Sequence, residues 1–177
     1  AKRARRNISM LSEVISDGNP LVGLEPSAIL SFRDEYPDLA GEDLREASLK
    51  LASCTFLLEE FVVREFRAGR ISKDDFVNDR AVILVHGHCQ QKAIVSTAPT
   101  LEMLSIPAAY SVSEIPSGCC GMAGSFGYEK EHYQLSMKIG EMVLFPEIRD
   151  AGEDTIIAAP GTSCRSQILD GTGRTAR

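Results

Sequence analysis

Four of the five cysteines in this sequence lie within three residues of a glycine: Cys89 in HGHC (86–89), Cys119 and Cys120 in SGCCGMAGSFG (117–127), and Cys164 in PGTSC (160–164). Unrelated buried thiols would need no such surroundings. Glycines at 118, 121, 124 and 127 let the backbone turn sharply and approach a bound group closely. Three chemistries compete for these cysteines. A disulfide between Cys119 and Cys120 is awkward, because adjacent Cα atoms lie about 3.8 Å apart and disulfides usually span about 4.4–6.8 Å. Zinc sites more often pair their ligands as C-x2-4-C, and no such pair is present. A polynuclear iron–sulphur cluster suits vicinal cysteines, since adjacent thiolates can bind different irons, and four thiolates are its common complement.

His86 and His88 flank Cys89. A histidine there could ligate a metal, donate a hydrogen bond to the ligand shell, or cap a strand end. The hydrogen-bonding role is expected for both. His132, among charged residues, reads as a surface residue. Cys54 falls on the apolar side of a helical stretch, where a free cysteine behaves as a small hydrophobe. No Ser/His/Asp or paired-carboxylate arrangement supports hydrolysis.

The elements that must position these residues alternate. Helical spacing runs over 2–16, with Gly18 placed to end it. PLVGL (20–24) reads as a short buried strand, and Pro26 as a helix start. Residues 41–69 carry one long helical pattern, with Gly69 as its stop. A polar connection (72–79) leads to AVILV (81–85), a continuous apolar run typical of a strand covered on both faces. A helix over 90–104, disturbed at Pro99, precedes a strand at 108–112. A long helix over 129–151 then leads to TIIAA (155–159). This pattern predicts an α/β fold, a mostly parallel sheet of about four strands with helices on its faces. Ligands of such sheets bind outside the strands' carboxyl ends. Cys89, Cys119, Cys120 and Cys164 all fall in loops on that edge.

The chain's 177 residues make one domain, with enough length to bury a core. Hydrophobic residues make up 44% and charged residues 25%. A net charge of −6 argues against a nucleic-acid surface. The basic cluster Lys2, Arg3, Arg5 and Arg6 reads as a solvated helix end. No apolar run approaches the roughly 20 residues of a membrane span, and no signal peptide opens the chain. An odd cysteine count without a secretory segment favours metal or redox chemistry over a disulfide framework, in a cytoplasmic setting. The sequence begins at Ala1 rather than methionine, and we expect a fragment of a longer protein.

GLEPSAILSFRDEYPDL (23–39), HGHCQQKA (86–93), SGCCGMAGSFGYE (117–129) and PGTSCRSQI (160–168) resemble the cysteine-rich CCG domain. That domain occurs in the cysteine-rich subunit of heterodisulphide reductase, in glycolate oxidase iron–sulphur subunits and in FAD-linked 2-hydroxyacid dehydrogenases of lactate or glycolate type. The wording is most like the fused dehydrogenases, where this domain follows a flavin domain and a ferredoxin-like segment. The resemblance implies a single CCG domain over 1–177, part of a longer FAD-dependent oxidoreductase. It would hold an iron–sulphur cluster of 4Fe-4S type, non-cubane in some relatives, and relay electrons to or from a flavin. The implied ligands are Cys89, Cys119, Cys120 and Cys164. The implied partners are a flavin-binding dehydrogenase domain or subunit and a ferredoxin-like iron–sulphur segment, with any attachment to the inner membrane made through partners. The family often has cysteine at the position of Ala28 and histidine at those of Gln90 and Ser166, and its reductase-type members have cysteine at that of Gly161. Two other readings stand beside this one: a zinc-binding structural or docking module, and a thiol–disulfide redox domain acting through Cys119 or Cys120.

Overall fold

The computed structural model describes residues 1–77 and 79–177, so Asn78 of the expected polar connection lies outside the described residues. The chain is an α/β protein; among the described residues five short strands all run parallel, in two sheets. The first half holds α1 (Lys2–Leu11), β1 (Leu21–Gly23), α2 (Pro26–Ile29), α3 (Glu35–Leu39), α4 (Arg45–Ser53), β2 (Thr55–Leu57) and α5 (Leu58–Arg67). The second half holds β3 (Ala81–Val85), α6 (Cys89–Ile94), α7 (Ala98–Leu104), β4 (Tyr110–Glu114), α8 (Tyr133–Met142), α9 (Leu144–Asp150), β5 (Ile156–Ala158) and α10 (Thr162–Thr172).

β1 pairs with β2, and β3 lies between β4 and β5. Leu84 of β3 is level with Ser113 of β4 and Ile157 of β5. The chain's last residues extend this sheet: the Arg177 amide donates to Ile157 O at 2.8 Å, and Ala159 N donates to Arg177 O at 2.8 Å. The core of the second half gathers Leu144, Phe145, Ile148, Ile157 and Ile168, all buried, with Leu84 against them. A separate cluster of Ile8, Ala40 and Leu51 joins α1 to α3 and α4, where Arg5 also meets Asp43 at 2.7 Å. Among the described residues, no helix is long and apolar enough to cross a membrane.

Several expected helices are broken, each for a local reason. The stretch 41–69 is not one helix: α4 ends at Ser53, and Thr55–Phe56–Leu57 forms β2 before α5 begins. Those residue types suit a pleated, half-buried surface, and β1 supplies the partner, Leu21 opposite Thr55 and Gly23 opposite Leu57. The helix over 129–151 divides at Val143. Pro146 has no N–H to give Met142 O, and its ring would collide with that carbonyl, so a continuous helix cannot pass. Pro99 acts likewise, dividing 90–104 into α6 and α7 with Ser96 at φ 96° in the break. α1 stops at Leu11, well before Gly18. β4 begins two residues later than expected, and α10 was not foreseen at all. AVILV is β3 as expected, but its cover is uneven: Ile83 and Val85 are buried while Val82 is 52% exposed.

Candidate metal centre

The sheet brings the cysteine loops to one edge. Cys89 opens α6 just beyond β3, Cys119 and Cys120 follow β4, and Cys164 lies in the first turn of α10 beyond β5. Cys120 and Cys164 are buried, Cys119 is half-buried, and Cys89 is exposed. Cys89 is close enough to Cys119, Cys119 to Cys120, and Cys120 to Cys164 for each pair of thiols to influence one another's ionisation. At the buried end, one ligand atom each from His86, Cys120 and Cys164 lie within 4.8 Å of one another. Cys54 is elsewhere. It follows α4, is 2% exposed, and its thiol donates to Asp17 Oδ1 at 3.4 Å.

The loop carrying the vicinal pair is fixed from two helices. Gly121 adopts φ +103°, and a Cβ there would lie 2.2 Å from Ser136 O of α8. Both the conformation and the close approach therefore require glycine. Gln167, three residues beyond Cys164 on α10, is buried. Its amide donates to Cys120 O at 3.1 Å, to Ser136 O at 3.2 Å and to Ser136 Oγ at 2.9 Å. Gly121 N donates to Cys119 Sγ at 3.3 Å. Sequence reasoning passed over Gln167; its signal was the three-residue spacing from Cys164, which shares a helix face.

The two histidines differ. His86 is fully buried, its Nδ1 is 2.7 Å from Ser117 Oγ, and its Nε2 has no hydrogen-bond partner. Burial first, then the nearby Lys92 ammonium, lowers its pKa to about 4, so the ring is neutral at pH 7. His88 caps α6, its Nδ1 accepting from Gln90 N at 3.2 Å. Its ring packs on Gly161, where a Cβ would lie 2.4 Å from His88 Cδ2 and 3.1 Å from Cys164 Sγ. Glu25, just before α2, reaches across the chain to α10. Its Oε2 accepts from Thr162 N at 2.8 Å and from Thr162 Oγ1 at 2.7 Å. Burial alone would raise the Glu25 carboxyl, but these bonds, one from Ser27 and the nearby His88 hold it below the ordinary value. Ala28 is exposed on α2, which packs against α6.

Without a metal, Cys89, Cys119 and Cys120 resist ionisation. Burial, then the neighbouring Cys119, raises Cys89. The Cys120 partner, then burial, pushes Cys119 far up. The Cys119 thiol would lower Cys120, but Cys164 and burial outweigh it and push Cys120 up to about 12. Reactive thiols need the opposite, a lowered pKa. A cation that displaces the protons relieves this crowding. The donor set therefore fits a thiophilic metal or cluster, with the buried His86 ring at its inner end.

An apolar cavity of about 600 Å³ is lined by Leu58, Ile83, Met103, Leu104 and Ile156, and reaches the cysteine edge at Glu25, Pro160 and Thr162.

No protein-family model matches the chain, and no solved structure matches it. In sequence it is similar to D-2-hydroxyglutarate dehydrogenase of Escherichia coli (strain K12), 28% identical over 177 residues. The enzyme of the same name from Pseudomonas putida is 30% identical over 179 residues. One subunit of the anaerobic glycerol-3-phosphate dehydrogenase of E. coli K12 is 27% identical over 168 residues. These matches take in 98%, 100% and 94% of this chain but 16%, 16% and 40% of the respective relatives. The chain is thus similar, along nearly all of its length, to one section of larger dehydrogenases.

Proposed function

We propose that this chain is the iron–sulphur electron-relay domain of a flavin-linked dehydrogenase. The observation that carries it is the gathering of four cysteines at one sheet edge, with the fully buried His86 ring beside Cys120 and Cys164. Cys89, Cys119, Cys120 and Cys164 would hold the cluster, which supplies a site that accepts and passes on one electron. The polypeptide's part is to fix these donors and exclude water. Gln167 and Ser136 anchor the Cys120–Gly121 turn, and the Glu25–Thr162 bonds hold the start of α10. Burial of Cys120, Cys164 and His86 shields one side, while exposed Cys89 offers the short path by which an electron enters or leaves. The relatives named as dehydrogenases support a redox role for the section they share with this chain. 2-Hydroxyglutarate is itself a 2-hydroxyacid, so the parent protein would oxidise a substrate of that class at a flavin site outside these residues. The domain would work in the cytoplasm, beside a ferredoxin-like segment.

One observation favours a second reading. The compact trio of His86, Cys120 and Cys164 would suit a single zinc ion and a structural role. Anaerobic purification followed by metal and sulphide analysis separates the two. The relay predicts iron and acid-labile sulphide together, visible absorbance that dithionite bleaches, and loss of both in Cys120→Ser. Stoichiometric zinc without sulphide would replace the relay with the structural module.

A further inference from the structure

We propose that His86 is itself a metal ligand through Nε2, with Ser117 holding the ring in place; this rests on the reading of the cysteine edge as a metal or cluster centre. His86 follows the last residue of β3, and its backbone N–H donates to Ala158 O at 2.8 Å, which locks it to β5 at the end of the sheet. Its side chain has no solvent exposure. Nδ1 is engaged by Ser117 Oγ at 2.7 Å, and Ser117 cannot drift. It is 6% exposed, its N–H donates to Ile115 O at 2.7 Å, and its carbonyl accepts from Lys92 Nζ at 2.5 Å. The ring therefore has one nitrogen committed and the other buried with nothing to bond.

Buried polar atoms are almost always partnered, and an exception calls for a cause. Here the surroundings supply one. The Sγ atoms of Cys120 and Cys164 and a nitrogen of this ring lie within 4.8 Å of one another. Two thiolates on one ion can be at most about 4.6 Å apart, given metal–sulphur bonds of about 2.3 Å. The trio is thus near ligand spacing. A ligating histidine also characteristically bonds through its other ring nitrogen to an orienting partner, the position that Ser117 fills. A neutral imidazole in place of an anionic thiolate raises a cluster's reduction potential, as histidine ligation does in Rieske centres. The hydrogen-bonding role expected for His86 from sequence gives way to direct ligation in this proposal, while His88 keeps its cap on α6.

The test uses the full chain labelled with [15N]histidine, reconstituted anaerobically with iron and sulphide, reduced, and read by pulsed electron paramagnetic resonance. We expect a strongly coupled nitrogen that switches from the 14N to the 15N pattern on labelling. It should persist in His88→Asn and vanish in His86→Cys, which should still bind iron and have a lower midpoint potential. Bound iron and sulphide without histidine coupling would overturn the proposal, as would a coupling that follows His88. If no iron–sulphide centre forms, the relay reading fails by itself, and the same labelled chain is loaded with cobalt(II). Histidine coupling lost in His86→Cys then supports the ligand assignment, and absent coupling or absent cobalt binding refutes it. If His86→Cys fails to fold, a coupling that persists in both His88→Asn and His132→Asn assigns it to His86, and one lost in either overturns the proposal.

Discussion

Replacing Gly161 by alanine tests how tightly the site is built. The backbone there, at φ −80° and ψ 130°, is open to any residue, so the objection is space alone. A Cβ would lie 2.4 Å from His88 Cδ2, 3.3 Å from His88 Nε2 and 3.1 Å from Cys164 Sγ. Carbon atoms in ordinary contact are about 3.5–4.0 Å apart, so the new methyl overlaps the ring by roughly 1 Å. The ring cannot swing away freely, because His88 is 7% exposed and its Nδ1 accepts from Gln90 N. Overpacking of this kind costs about 1–3 kcal/mol, and the stiffer unfolded chain returns about 0.4–1 kcal/mol. A net loss of about 1–2 kcal/mol remains, or about 2–8 °C in Tm at about 2–4 °C per kcal/mol for a chain of this size. Thermal unfolding of Gly161→Ala against Gly118→Ala measures it, since at Gly118 a Cβ meets nothing within 4 Å. The displaced Cys164 should also weaken metal uptake. A Gly161→Ala protein with unchanged Tm and metal content would show that His88 and Cys164 yield without cost, and the packing argument would fail.

Cys54→Ala should leave metal and sulphide content unchanged and cost about 1 kcal/mol for the lost buried group; reduced metal in a folded variant would place Cys54 in the site. Glu59, 5% exposed, has its carboxyl raised first by burial, against hydrogen bonds from Thr100 and Gln91. The folded state then holds this proton more tightly than the unfolded chain, so its contribution is greatest below the ordinary value of 4.5 and is lost as pH rises through the folded pKa. Glu59→Gln should therefore gain stability over the parent from acid to neutral pH in urea unfolding, and parallel pH curves would refute this.

What the sequence revealed followed from local pattern and chain order. β3 was legible because five consecutive apolar residues suit little else when polar residues bound them. The meeting of the cysteine loops was legible because parallel strands send their following loops to one edge. β2 was hidden because three residues, Thr55–Leu57, interrupt an apolar spacing that resumes in α5, and so short a break leaves the helical period intact. α10 was hidden because its buried face mixes Cys164 and Ile168 with Gln167. That glutamine is buried only because Cys120 O and Ser136 O, 47 and 31 residues away, need donors. The site's finer construction is of this long-range kind throughout. Glu25 meets Thr162 across 137 residues, and Ser117 meets His86 across 31. Chain order could place the thiols together, but only tertiary contact decides which buried atom is partnered and which is not. His86 and His88 sit two residues apart in one motif; Gln90 N satisfies Nδ1 of one, and nothing satisfies Nε2 of the other.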